Sequence, residues 1–309
     1  MGIAQTILED LKPEHQIFVA EMGAYKKGGI KLLCDIVKPK IGIVAGVNEQ
    51  HLALFGSLEN LLSAEGGEEL AQSLPEEGLL VLNGDNKYCL DLYKKTDFKN
   101  KKIYTEKKGV LNADIWTEDI EAKTDSISFV AVNKSREMAH FKVSVLGRQN
   151  AQNLLAAILV AKELGMSFEE ISFACKKIKQ WQGGMVLKQG KMGIHIIDSS
   201  YSANPDGVFA DLEYLKIFPQ KKAIIMPCLI ELGPNSGEIH KKIGAKIAEI
   251  CDLAIITSKD KFKEIKGENK KIIFCQNPEE IFSAITSFCK AGDAVLLEGR
   301  VPKKLHEIL

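Results

Sequence analysis

The chain has 309 residues, with 41 Lys and Arg set against 41 Asp and Glu, and 45% of its residues are hydrophobic. Zero formal charge argues against a protein whose main work is gripping nucleic acid or an anionic membrane, because displacing counterions needs a basic surplus. No apolar run approaches the roughly 18 residues of a membrane span, and the length suggests two domains of ordinary size. The seven cysteines (Cys34, Cys89, Cys175, Cys228, Cys251, Cys275 and Cys289) are single and odd in number, so they read as free thiols of a reducing cytoplasm. Glu9, Asp10 and Glu14 stand where a secretory signal would have a basic start and an apolar core, and a cytoplasmic location is expected.

Short apolar runs alternate with longer segments of helical period, which predicts a layered α/β protein with a mostly parallel sheet. Residues 17–21, 41–47 and 79–82 read as buried strands, with a helix over 58–73. Stretches 114–120, 126–132 and 138–146 alternate closely enough to predict an antiparallel meander added to that sheet. Two helices follow, 150–164 and 167–178, the second opened by Ser167 and Glu170 at capping-box spacing. The period fails at Lys179-Gln180-Trp181-Gln182-Gly183-Gly184, which sets a domain boundary between residues 1–182 and 183–309. Beyond it, strands at 194–199, 223–227, 253–257, 271–275 and 294–297 and helices at 206–218, 238–251 and 278–289 predict a doubly wound, Rossmann-like domain.

The sequence holds no GxxxxGKS/T, no GxGxxG after a strand, no HExxH and no GxSxG. Composition and periodicity therefore stop at a soluble α/β protein. The residues go further. Glu21-Met22-Gly23-Ala24, Lys38-Pro39-Lys40-Ile41-Gly42-Ile43-Val44 and Asn48-Glu49-Gln50-His51-Leu52-Ala53-Leu54-Phe55-Gly56-Ser57-Leu58-Glu59 resemble the central domain of the Mur ligases. Gly147-Arg148-Gln149-Asn150-Ala151-Gln152-Asn153 is similar to a helix start of that family, Ile197-Asp198-Ser199-Ser200-Tyr201-Ser202-Ala203-Asn204-Pro205 to its IDDSYNANP, and Ile230-Glu231-Leu232-Gly233 with His240 to its ELG…H. Phe55-Gly56-Ser57 is most similar to members that add D-alanyl-D-alanine to a UDP-muramoyl peptide.

The resemblance implies an ATP-dependent amide ligase of peptidoglycan precursor synthesis that uses ATP and Mg²⁺. In such enzymes ATP phosphorylates a carboxylate, an amine attacks the acyl phosphate, and phosphate leaves. It implies Glu21 and His51 as metal ligands, Asn150 and Asn153 as nucleotide-binding residues with Asn150 on the adenine, and Asp198 on the ribose. Tyr201 and Asn204 would shape the pocket for the incoming dipeptide amine. Each residue also has a plainer reading: a surface acid for Glu21, a packing residue for His51, helix-start caps for Asn150, Asn153 and Asp198, and a turn signal for Asn204-Pro205.

Departures from the family pattern are as informative. Glu65 falls at or beside the position of a lysine that the family carbamylates to bind a second Mg²⁺. A glutamate there would be a permanent carboxylate, a catalytic and metal-ligating group reaching roughly 3.5 Å less far. Alternatively Glu65 joins Glu68 and Glu69 on the solvated face of one helix. Met185 stands near a family arginine, Ser199 and Ser202 replace Asp and Asn, Cys228 sits where Asp is common, and Glu298 sits where Lys is common. The family's first domain and P-loop do not appear, so the expectation is a central domain incomplete at its N-terminus, its phosphate loop coming from a missing or separate segment. The rivals are a folate-polyglutamate-like ligase of the same superfamily and a non-catalytic binding or scaffold relative.

Overall fold

The structure, a computed structural model, describes residues 2–48, 51–110, 112–180 and 184–309. Helices α1 (Gly2–Glu9) and α2 (Gly29–Val37) precede strand β1 (Ile41–Val44). Then come α3 (Leu52–Phe55), α4 (Leu58–Ala64), α5 (Glu68–Ser73), β2 (Leu79–Asn83), α6 (Lys87–Lys95) and β3 (Lys101–Thr105). Strands β4 (Ala113–Ala122), β5 (Ile127–Asn133) and β6 (Met138–Val143) follow, and then α7 (Asn150–Glu163) and α8 (Phe168–Cys175). The six strands pair in chain order, parallel from β1 to β4 and antiparallel from β4 to β6, so the predicted meander is present.

Every residue of β2 is buried, because α7 covers one face of the sheet while α4, α5 and α6 pack on the other. A strand covered on both faces reads as one continuous apolar run.

The second sheet is built from β7 (Val186–Gln189), β8 (His195–Ser199), β9 (Lys222–Met226), β10 (Leu253–Ile256), β11 (Ile272–Phe274) and β12 (Ala294–Glu298). Its order is β11-β10-β9-β12-β8-β7, parallel except for β7 against β8. Between the strands lie α9 (Pro205–Leu215), α10 (Ser236–Ile250), α11 (Phe262–Lys266) and α12 (Pro278–Phe288), with α13 (Leu305–Ile308) at the end. Asn204 and Asn277 cap α9 and α12 with Pro as the next residue, as helix-start chemistry favours.

Two expectations are corrected. Residues 17–21 form no strand; Ile17 is 63% and Val19 86% exposed, and among the described residues β1 is an edge strand paired only with β2, so this run does not add to the sheet. The helix expected over 58–73 is two helices. Gly67 at φ 91° turns the chain between them, and a Cβ on Gly66 would sit 2.2 Å from the Leu62 carbonyl oxygen, so the break needs the two glycines. Helices α1, α2, α3, α6, α11 and α13 and strands β3 and β7 were not anticipated. Trp181, Gln182 and Gly183, on which the domain boundary was set, lie outside the described residues. No helix among the described residues is long and apolar enough to cross a membrane.

Candidate active site

The C-terminal ends of β1 and β2 carry the polar residues of the first sheet, where parallel α/β sheets place ligands. His51 heads α3, and Glu65 ends α4 just before the glycine turn. Both Glu65 carboxylate oxygens lie 3.0 Å from His51 Nδ1, with the side chains 28% and 22% exposed. A carboxylate only accepts, so Nδ1 is the donor in this contact.

Glu65 does not share a face with Glu69. The turn at 65–67 sends Glu69 the other way, where it is buried and accepts from the amides of Gly28 and Lys31 at 2.6 and 2.9 Å. The expected acidic helix face is thereby corrected: Glu68 is exposed, Glu69 holds the start of α2, and Glu65 turns to His51.

Glu21 is exposed in the irregular stretch before α2. Among the described residues no group of three or more His, Cys, Asp or Glu is placed to hold a metal ion, so the structure brings His51 and Glu65 together and leaves Glu21 outside their contact.

From the last residue of β2 onward, Asn83-Gly84-Asp85-Asn86 is a polar cluster that motif reasoning missed. Asn83 donates to the Ala45 carbonyl at 2.7 Å and to Gln152 Oε1 at 3.2 Å, joining β1, β2 and α7. Asp85 accepts from Thr105 Oγ1 and the Glu106 amide, while Asn86 caps α6 and donates to the Val47 carbonyl. The available signal was a turn-forming run directly after a fully apolar strand.

Asn150 is half-buried, and its side-chain amide donates back to the Leu146 carbonyl at 2.7 Å. Exposed Asn153 donates to Asn150 Oδ1 at 3.1 Å. Neither is the capping residue of α7, which is Gln149.

On the second sheet Asp198 is the last residue but one of β8 and does not cap a helix; Asn204 caps α9 by accepting from the Gly207 amide at 2.9 Å. Asp198 accepts from Lys188 Nζ at 2.6 Å and from Ser200 Oγ at 2.5 Å, and His306 Nδ1 lies 3.4 Å away. Burial alone would raise its carboxyl; Lys188, Ser200 and His306 outweigh that and hold it below the usual carboxylate range. Tyr201 is 75% exposed on the turn between Asp198 and Asn204.

His240 is fully buried. Its Nε2 accepts from the Leu229 amide at 3.0 Å and Nδ1 donates to the Ser236 carbonyl at 2.6 Å, while burial lowers its pKa, so it braces the loop after β9 as a neutral ring.

The two sheets meet at these ends. Asn48 Nδ2 donates to Asp206 Oδ2 at 3.2 Å, Tyr214 Oη donates to the Thr124 carbonyl at 2.7 Å, and Leu146 packs into the core of the second sheet. An open cleft of about 410 Å³ runs between Asn48, Asp85, Lys87 and Tyr88 on one side and Asp206 and Ile239 on the other. Beside it Gln149 Nε2 donates to Asp211 Oδ1 at 3.1 Å, and Ser199 Oγ donates to Asp211 Oδ2.

Known proteins resemble this arrangement. The UDP-N-acetylmuramoyl-tripeptide–D-alanyl-D-alanine ligase of Escherichia coli K12 is 26% identical over 252 residues, covering 81% of this chain and 54% of that protein. Its counterpart in Bacillus subtilis is 25% identical over 320 aligned positions, covering 100% of this chain and 66% of that protein. The chain thus spans between half and two-thirds of the length of these relatives. The crystal structure of MurF ligase from Thermotoga maritima in complex with ADP superposes with a TM-score of 0.85 and 26% identity, over 99% of this chain and 70% of that one. Residues 1–161 match the Mur ligase middle domain, and residues 185–301 match the Mur ligase glutamate ligase domain. With two domains of one family matched in chain order, one on each sheet, the chain belongs to the Mur ligase family.

Proposed function

We propose that the chain is the middle and C-terminal part of an ATP-dependent amide ligase of peptidoglycan precursor synthesis, joining D-alanyl-D-alanine to a UDP-muramoyl peptide. The observation that carries this reading is the superposition over 99% of the chain on a MurF ligase bound to ADP, with the loops after β1 and β2 and the starts of α9 and α10 lining one cleft. The proposed division falls between residues 182 and 183, in the gap between the two matched domains.

His51 and Glu65 are the proposed metal residues. A magnesium ion keeps several waters and needs only one or two protein carboxylates, so one carboxylate beside an oriented imidazole fits it, and Glu21 is not needed in the same contact. Mg²⁺ at this position would neutralise the crowded phosphate and carboxylate oxygens. Glu65, bonded through both oxygens to His51 Nδ1, fixes the imidazole tautomer and retains lone pairs for a hard cation. Asn150 and Asn153 are proposed for the adenine side and Asp198 for the ribose. Asn204 fixes the α9 start, so exposed Tyr201 and the cleft acid Asp206 meet the incoming amine.

The 309 residues contain no phosphate loop, and we propose that polypeptide outside them supplies it. Calorimetry of the chain alone with Mg-ATP should then give no low-micromolar binding. Joined to the phosphate-loop segment of a homologous ligase, the chain should convert UDP-muramoyl tripeptide, D-alanyl-D-alanine and ATP to pentapeptide, read by mass spectrometry. Absence of pentapeptide from a folded, ATP-binding fusion would refute the ligase reading. A non-catalytic binding role is the second reading, favoured by the engagement of Asp198 with Lys188, Ser200 and His306.

A further inference from the structure

The proposed ligase chemistry makes no use of a pair of acids at the junction of the two units. Asp211 on α9 and Glu298 at the end of β12 are 5% and 1% exposed, and their carboxyls are hydrogen-bonded to each other. The β8–β12 register sets Ser199 beside Glu298, and Ser199 Oγ donates to Asp211 Oδ2. Gln149, at the head of α7 on the other unit, donates to Asp211 Oδ1 at 3.1 Å. Glu298 Oε2 is buried with no hydrogen-bond partner among the described residues.

Among the described residues no Lys, Arg or His is paired with either acid. The charged groups on the surrounding elements are turned to other partners: Asp198 on β8 to Lys188 and His306, Asp206 on α9 to Asn48, Glu213 on α9 to Lys246, and Arg148 before α7 to Glu106. Arg300, after β12, is exposed. Two contacting carboxylates in such an enclosure cannot both stay ionised, and a proton on one makes it a donor to the other. Burial first, and Asp211 second, push the Glu298 carboxyl well above the usual range. Burial also raises Asp211, but Ser199, Glu298 and Gln149 all donate to it and oppose the rise, so Glu298 is the protonated partner.

We propose that Asp211 and Glu298 hold one proton between them and in that form act as positioning residues, tying Gln149 at the head of α7 to Ser199 at the end of β8. The functional consequence rests on the nucleotide reading above: Gln149 adjoins Asn150 and Ser199 adjoins Asp198, so the tie sets the separation of the two proposed nucleotide contacts. Loss of the proton leaves two facing charges, admits water and frees the two elements from each other. The folded form binds the proton more tightly than the unfolded chain does. Its contribution is therefore complete below the ordinary glutamate range and is lost as pH rises through the raised value, by up to about tenfold in the opening equilibrium per pH unit.

Hydrogen exchange on the full chain tests this without nucleotide, so it can fail or succeed independently of the ligase reading. The amides of Asn150, Ala151 and Gln152 are bonded within the α7 start, and that of Ser200 is bonded to Asp198. Their protection, corrected for intrinsic rates, should fall at least about tenfold between about pH 6 and 9 in the parent. In Glu298→Gln, which keeps a donor for Asp211 and cannot ionise, it should stay constant. A purely structural Glu298 would instead lower protection in the variant equally at both pH values. Parent protection that does not change with pH, or a variant that follows the parent's pH dependence, overturns the proposal. Should the variant not fold, infrared spectroscopy of the parent decides: a protonated-carboxyl band at neutral pH that vanishes on the alkaline side supports the shared proton, and its absence removes it.

Discussion

Truncating Glu69 to Ala should destabilise the first unit by about 2–3 kcal/mol, and the figure follows from what its carboxylate holds. It accepts from the amides of Gly28 and Lys31 at the start of α2, a helix whose own capping residue, Gly28, has no side chain to offer. A hydrogen bond to a charged group contributes about 1.5–3 kcal/mol, and an anion at a helix N-terminus adds about 0.3–1. Two such bonds would suggest a larger loss, but Gly28 and Lys31 are exposed, so water reaches the amides that truncation frees. Glu69→Gln keeps one acceptor oxygen and loses the charge; about 1 kcal/mol is expected. Glu68→Ala, one residue earlier and exposed, is the control and should stay within about 0.5 kcal/mol of the parent. Urea denaturation followed by far-ultraviolet circular dichroism measures the differences, and hydrogen exchange of the α2 amides localises them. A Glu69→Ala protein within about 0.5 kcal/mol of the parent, or a Glu68→Ala protein equally damaged, would refute the assignment of the two acids.

Gly67→Ala places a Cβ 2.5 Å from Val44 Cγ2 in a left-handed backbone at φ 91°; strain and overpacking together should cost about 2–4 kcal/mol in the same urea assay. Tyr214→Phe removes the donor to the Thr124 carbonyl and should cost about 1 kcal/mol, read as a lower melting temperature. Asp198 is held below its ordinary value, so its stabilisation is complete above the unfolded aspartate range near about 4 and is lost as pH falls through the depressed value. Asp198→Asn should therefore melt below the parent at neutral pH and converge with it in acid; a constant gap would contradict the ion-pair account. Limited proteolysis should cut within residues 179–191, around the proposed division, and preferred cleavage inside α9 or α10 would defeat it.

Much of this was legible in the residues, for reasons that differ from place to place. The runs at 79–82, 223–227 and 294–297 read correctly as strands because helices cover both faces of their sheets, so each strand is apolar throughout. The run at 17–21 has the same apolar character, yet a strand also needs a neighbour to complete its hydrogen bonds, and no local pattern carries that information. Gly66 and Gly67, inside the helix expected over 58–73, were visible as residues costly in a helix interior. That they turn Glu65 and Glu69 to opposite partners was not, because His51 and Gly28 lie far from the acids in sequence. The Asp211–Glu298 contact joins α9 to β12, distant in sequence, so the sequence offered, through the resemblance, only a Glu298 where a Lys is common.

Glu65 and Glu298 both stand where the family resemblance puts a lysine: at 65 a carboxylate replaces a carbamylated, already anionic side chain, whereas at 298 an acid replaces a cation. The structure answers the two exchanges differently, and exposure decides how. Glu65 is 22% exposed with His51 as a donor at 3.0 Å, so its carboxylate keeps a polar partner and access to solvent from which an ion can arrive. Glu298 is 1% exposed and no cation among the described residues pairs with it, so the species small enough to neutralise it in place is the proton it shares with Asp211. The acid beside β1 is thus suited to exchanging one partner for another when ligand binds. The acid at the junction is closed to ligands and can answer only to pH. Gln149→Leu, which keeps the junction filled but removes a donor that opposes the rise at Asp211, is therefore expected to raise the affinity of the pair for its proton, shifting the loss of the protonated-carboxyl band to higher pH while leaving the His51–Glu65 contact unchanged.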